Sequence, residues 1–271
     1  MLELYNFAQS TCSQKVRICL AEKELPWVDR RLVSKDRYHI TPEYLRLNPN
    51  GVVPTLVHDG VPIIESSVIA QYLDGMFPER SLSPRDPQTL AAMRAWLAFV
   101  DQVPTPAVRY PSFQYGGLIR KFQAMSPEEF DASIARRPLK SRFYRRMGQA
   151  GFPQEDIDDA LDDMRKTVSR MESMLAAGGP WLMGEQYTLA DICVAPLIDR
   201  IENLGYSGLW QDLPRVTDWL HRIKARPAYL STFYAGTRLS DQYPDIDYGP
   251  EFRIDEVMRT LARSKDRLGS A

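Results

Sequence analysis

Apolar positions change their period along the chain, and the changes divide it. Leu2-Glu3-Leu4-Tyr5-Asn6-Phe7 is a short apolar run that predicts a strand over 2–7. A polar turn follows, and Val16, Cys19 and Leu20 then recur at helical spacing. Ser13 is a favoured N-cap residue, so the pattern predicts a helix over about 13–24. Strands over about 27–33, 54–58 and 61–64 and helices over about 42–47 and 66–76 complete the first unit. His58-Asp59-Gly60 supplies the D-G signal of a hairpin. Residues 78–87, PERSLSPRDP, carry three prolines and no apolar period. They set the expected boundaries: an α/β domain over 1–78, a linker over 79–87, then helices.

From residue 88 the period is that of a helix. Leu90, Met93, Leu97 and Val100 form one stripe, and Ile157, Leu161, Met164, Val168, Met171 and Leu175 form a longer one. Thr188-Leu-Ala-Asp191 reads as an N-cap with an acid three residues on, opening a helix through Ile192, Leu197, Ile201 and Leu204. Pro196 lies inside it and predicts a kink or an open bond to Ile192. Helices over about 214–225 and 227–235 follow. The all-helical domain is thus expected over 88–238, interrupted by a long insertion at 104–153, with a tail over 239–271. In the tail, about 250–266 reads as a charged, loosely docked helix. The insertion mixes Tyr110, Phe113, Tyr115, Phe122, Phe130, Phe143, Tyr144 and Phe152 with Arg136, Arg137, Arg142, Arg145 and Arg146. Its expected use is an aromatic wall of a small-molecule site.

Balanced charge removes other classes. A formal net charge of −1 and 25% charged residues give no electrostatic case for nucleic acid or an anionic membrane surface. Three cysteines, Cys12, Cys19 and Cys193, make neither a disulfide framework nor a metal-ligand spacing, so no metal is expected. The first residues enter a strand directly and no apolar run has the length of a membrane span, so the expectation is a cytoplasmic protein.

Chemistry gathers at the first turn. Strand, turn and helix aim Ser10, Thr11 and Cys12 at a helix N-terminus, where N–H groups lack intrahelical partners and the dipole favours an anion such as a thiolate. Spacing alone leaves open whether that thiolate is Cys12 or a bound thiol. Pro54 begins a strand and the Val53–Pro54 bond can be cis. Glu65-Ser66 stands where a strand passes into a helix, with Ser66 as the expected cap.

STCSQKVRI at 10–18, LNPNGVVPTL at 47–56 and IIESSVI at 63–69, in that order and spacing, resemble the N-terminal domain of the glutathione transferase superfamily. The S-x-C-S-x-[KR]-[VT]-R form is most similar to its zeta-type and reductive-dehalogenase branches. QAMSPEEF at 123–130 and GFPQE at 151–155 resemble the bacterial lignin β-etherases of the same superfamily. The resemblance implies a thioredoxin-like domain followed by an all-helical one, glutathione as cosubstrate and a homodimer. It also implies a cis Pro54 that turns the backbone of Val53 toward the cysteine of glutathione. Glu65 and Ser66 would hold the γ-glutamyl end and His39 the glycine carboxylate. Where the family often carries Lys or Gln before the V-P pair, this chain has Val52.

By the same resemblance Ser10 donates a hydrogen bond to the glutathione sulfur, with Thr11 and Ser13 behind it and Cys12 as modulator. The thiolate then attacks an electrophilic, aromatic substrate, a β-aryl ether among the candidates. Two alternatives stay open: reductive dehalogenation or isomerisation in which Cys12 resolves a glutathionyl adduct, and a binding or scaffold protein that has lost catalysis.

Overall fold

A computed structural model describes residues 1–33 and 37–269, so the last two residues of the expected tail lie outside it. The first unit is a four-stranded sheet in the order β2-β1-β3-β4, built from β1 (Leu2–Asn6), β2 (Val28–Arg31), β3 (Thr55–His58) and β4 (Val61–Ile64). β1 runs parallel to β2 and antiparallel to β3, placing Leu4 between Asp29 and Leu56. Its alternation buries Leu2, Leu4 and Asn6 on one face. The helices of this unit are α1 (Thr11–Glu22), α2 (Pro42–Leu47) and α3 (Ser66–Met76). This is the thioredoxin-like arrangement.

The helical unit opens with α4 (Pro87–Gln102) and continues through the insertion as α5 (Pro104–Ala107), α6 (Arg109–Gln114), α7 (Arg120–Gln123), α8 (Pro127–Ala135) and α9 (Ser141–Met147). Then come α10 (Gln154–Ala176), α11 (Leu189–Asn203), α12 (Pro214–Lys224), α13 (Pro227–Thr232), α14 (Leu239–Gln242) and α15 (Ile254–Gly269). The stripe on α10 is buried along its whole length, from Ile157 to Leu175. Each such side chain contributes about 1.5–3 kcal/mol of burial free energy, which is why its period was readable. α11 runs unbroken across Pro196.

Several local expectations shift. α1 begins a turn earlier than the pattern indicated, because Ser10 and not Ser13 is its N-cap, accepting the Ser13 N–H at 3.3 Å. At α3 the cap position belongs to Glu65, and Ser66 is the first helical residue. The linker is held in place: Asp74 accepts from the Lys23 ammonium at 2.9 Å and from the Leu82 N–H at 2.7 Å, and Leu82 is buried. The α15 segment is docked. Val257 and Leu261 are buried and Arg263 pairs with Asp159 and Asp162 of α10, both at 2.9 Å. Its charges hid an apolar stripe two residues wide.

The two units are clasped around α1. Gln14 donates to the Thr237 carbonyl at 3.1 Å, Lys15 pairs with Asp101 at 3.1 Å, and Arg226 makes a two-pronged pair with Glu22 at 2.6 and 2.7 Å. The N-terminus of α1 is thereby fixed relative to the insertion.

Candidate active site

The turn before α1 is shaped by two arginines. Arg17 donates to the Phe7 carbonyl at 3.3 Å and to the Ala8 carbonyl at 2.7 Å, while Arg200 of α11 donates to the Gln9 carbonyl and to Ser112 Oγ. Arg17 is itself oriented by Asn6 Oδ1 at 2.8 Å. Three successive carbonyls are therefore occupied by guanidinium donors. Immediately beyond them the first N–H groups of α1, those of Thr11 and Cys12, have no acceptor within the helix. Ser10 Oγ spends a lone pair on the Ser13 N–H, which leaves its O–H proton to donate.

This helix end faces a cleft, open to solvent, between the sheet unit and the insertion. Ser10, Thr11, Cys12, His39 and Val53 line it. Ser13 does not: it is buried, and its Oγ has no hydrogen-bond partner among the described residues. That removes it from the set of sulfur-facing hydroxyls. The Val53–Pro54 bond is cis. Glu65 and Ser66 stand beside the cleft, linked to it by Asn50 Nδ2, which donates to Glu65 Oε1 at 3.0 Å. Glu65 has φ 67° and ψ 115°, a backbone conformation that non-glycine residues rarely adopt and that is kept where its surroundings enforce it.

The insertion forms the opposite wall. Phe113, Phe143 and Tyr144 face the cleft, and behind them Tyr110, Phe122, Phe130 and Phe152 pack into the same aromatic cluster, Tyr110 on Phe152 at 4.6 Å between centroids. The wall also brings cations the sequence did not single out. Arg109, Lys121 and Lys140 line the cleft, as do Arg137 and Arg200, and among the described residues no Asp or Glu does. Of the basic residues expected in this segment, Arg137 is the one that reaches the cleft. Pro138 packs on the loop below it: a Cβ at Gly51, whose φ is 61°, would stand 3.0 Å from Pro138 Cδ.

His39 is changed by this company. It is buried, its ring meets Phe7 edge-on at 5.1 Å, and Arg137 lies 3.5 Å from its Nε2. Burial, Arg137 and Lys121 push its pKa down to about 4. A guanidinium is a donor only, so Nε2 is the acceptor and the proton sits on Nδ1. Nδ1 is buried without a hydrogen-bond partner among the described residues.

Beneath α1, the buried Lys15 donates to Ser67 Oγ at 2.9 Å and pairs with Asp101. Burial works against its charge, but Cys193, Asp101 and Cys12 raise its pKa on balance, so the ammonium persists one turn from the cleft. It adds a fixed positive charge to that of the helix end.

Fold and site together define a glutathione transferase, and the comparisons agree. The family "Glutathione S-transferase, N-terminal domain" matches residues 4–81 and "Glutathione S-transferase, C-terminal domain" matches residues 131–227. The chain belongs to the glutathione S-transferase family. It is 33% identical over 248 residues to protein LigF of Sphingobium sp. strain SYK-6, covering 88% of this chain and 95% of the relative. The crystal structure of that β-etherase superposes with a TM-score of 0.77, covering 86% of this chain and 98% of the other. FtsZ-localized protein A of Caulobacter vibrioides is 25% identical over 90% of this chain and 97% of its own. The tetrachloro-p-hydroquinone reductive dehalogenase of Sphingobium chlorophenolicum is 26% identical over 84% of this chain and 94% of its own. Among the described residues no helix is long and apolar enough to cross a membrane.

Proposed function

We propose that the protein uses the thiolate of glutathione to cleave an aryl ether at the carbon bearing the aryloxy group. The observation that carries this reading is the cleft itself: an N-capped helix end with its carbonyls tied back, a cationic rim and an aromatic wall. Glutathione brings two carboxylates and a thiol, and the cleft offers a complement to each. The sulfur sits at Ser10, with Thr11 beside it. The Val53 backbone pairs with the peptide's cysteine. Glu65 and Ser66, at the start of α3, receive the γ-glutamyl end. Arg137, with Lys121 behind it, receives the glycine carboxylate, and neutral His39 stands beside them. The electrophile rests on Phe113 and Phe143. Similarity to a named β-etherase supports this choice of substrate. The protein works as a homodimer.

Lowering the thiol pKa by one unit requires about 1.4 kcal/mol, within reach of a helix N-terminus plus one hydroxyl donor. Ser10→Ala is expected to lower kcat/KM at neutral pH by about 10²-fold, the scale for losing one preorganised donor to an anion, with partial recovery as pH rises. A second reading assigns the chemistry to Cys12, which lines the same cleft. In it, Cys12 resolves a glutathionyl adduct through a mixed disulfide. Product identity separates the two. With an aromatic β-ether, wild type and Cys12→Ser should both release a phenol and a glutathione thioether over many turnovers. Phenol without the thioether, or arrest of Cys12→Ser after one turnover, moves the assignment to Cys12. Failure to bind immobilised glutathione supports a scaffold.

A further inference from the structure

The five cations of the cleft fall into groups with different neighbours. Arg137 and Lys121 act on His39, at one end. Arg200 is committed to the Gln9 carbonyl and Ser112. Lys140 and Arg109 make a separate pair: the ammonium feels Arg109, Cys12 and Glu65, which places it on the sulfur side. Neither the Lys140 ammonium nor the Arg109 guanidinium has a hydrogen-bond or ion-pair partner among the described residues. Arg109 lowers the Lys140 pKa, so the two half-buried cations are near enough to repel, and an anion placed beside both would relieve that repulsion.

Their place in the chain says which anion. Lys140 directly precedes α9, which carries Phe143 and Tyr144 into the aromatic wall. Arg109 opens α6, which carries Phe113 into it. An aryl ether lying on this wall with its reacting carbon toward Ser10 would bring its oxygen to these two cations, which line the same cleft. Glutathione's carboxylates are already accounted for elsewhere.

We infer that Lys140 is the proton donor to the departing aryl oxide and that Arg109 holds the negative charge developing on that oxygen. This rests on the ether-cleaving reading. The sulfur lone pair forms the C–S bond, the C–O bond breaks with its electron pair passing to oxygen, and Lys140 Nζ gives that oxygen a proton. A neutral phenol and a glutathione thioether leave, and Lys140 regains its proton from solvent, where the thiol's proton was released. The environment suits the step. Burial and then Arg109 push the Lys140 pKa down to about 8, against opposing pulls from Cys12 and Glu65. A phenol, at about 10, is then the weaker acid of the two, whereas an ordinary lysine would gain nothing by the transfer.

The test is a leaving-group series: β-ethers with one alkyl part and aryl oxides from 4-nitrophenoxide to 4-methoxyphenoxide, run with wild type, Lys140→Met and Lys140→Arg. Lys140→Met should lower kcat/KM for the methoxyphenyl ether by about 10²-fold, the scale of general acid catalysis, and the loss should shrink steadily as the oxide becomes less basic. Lys140→Arg, which keeps the charge but donates no proton, should recover part of the rate without restoring the wild-type slope. The wild-type alkaline limb near pH 8 should be absent in Lys140→Met, with the KM for glutathione unchanged. An equal loss across the series, or a loss expressed as a raised KM for glutathione, overturns the inference while leaving ether cleavage intact. A wild type that cleaves none of the ethers overturns both.

Discussion

Arg137 decides what His39 can do. A histidine in a loop near a carboxylate-binding end reads, in sequence, as a cation in waiting. With Arg137 at 3.5 Å and Lys121 nearby, burial and repulsion hold it neutral down to about pH 4. The sign of the consequence follows from linkage. The unfolded chain takes up the proton near pH 6.5 and the folded one only near 4, so between those values the unfolded state binds more protons. This contribution to stability is complete above pH 6.5 and is lost as pH falls toward 4, by up to about 1.4 kcal/mol per unit. His39→Gln should therefore flatten the denaturation midpoint against pH across that window. A slope unchanged by the substitution would show that His39 titrates normally. No sequence signal could have given this, since Arg137 lies 98 positions away. Ser10 was legible because helix caps come from a short menu. The turn carries two such residues three apart, Ser10 and Ser13, so the sequence left the start of α1 uncertain by a turn.

Among the elements, those whose burial repeats at a fixed period were readable and those held by ions were not. The stripe of α10 and the D-G hairpin between β3 and β4 belong to the first kind. α15 belongs to the second in its docking alone, since its helix was legible but its seat on α10 through Arg263 was not; the tail segment before it belongs there too, where Tyr243 lies on Gly117 and Asp245 pairs with Arg120 at 2.6 Å. The capping box at α11 was read correctly in form, and the structure adds its reach. The fully buried Asp191 accepts from the Leu182 N–H at 3.0 Å, the Trp219 Nε1–H at 2.8 Å and the Thr188 N–H at 3.1 Å. Burial pushes its pKa up to about 6 against the pull of these donors. Asp191→Ala would orphan three buried donors at about 1 kcal/mol or more each. The melting temperature should drop by roughly 5–10 °C for a chain of this size. A variant that melts with wild type would show that the box is dispensable.

At the scale of the whole molecule, the contacts of α1 with α11 and α13 join the two units, and the remaining question is what covers α3. Val68, Tyr72 and Met76 recur at i, i+4 and i+8, one face of a helix. Val68 and Met76 are 52% and 50% exposed, and Val61 on the neighbouring edge strand β4 is 63% exposed. An apolar stripe beside an unpaired sheet edge is a surface that soluble chains normally cover. Two-fold self-association would place the stripe of one copy against the same region of the other, closing the assembly at two. Sedimentation at micromolar concentration should give twice the 31.0 kDa chain mass. Val68→Glu with Met76→Glu introduces like charges on both sides of the two-fold axis, so the double variant should sediment as a monomer with unchanged helical circular dichroism. A monomeric wild type would overturn the dimer, and a variant that remains dimeric would move the interface off this face.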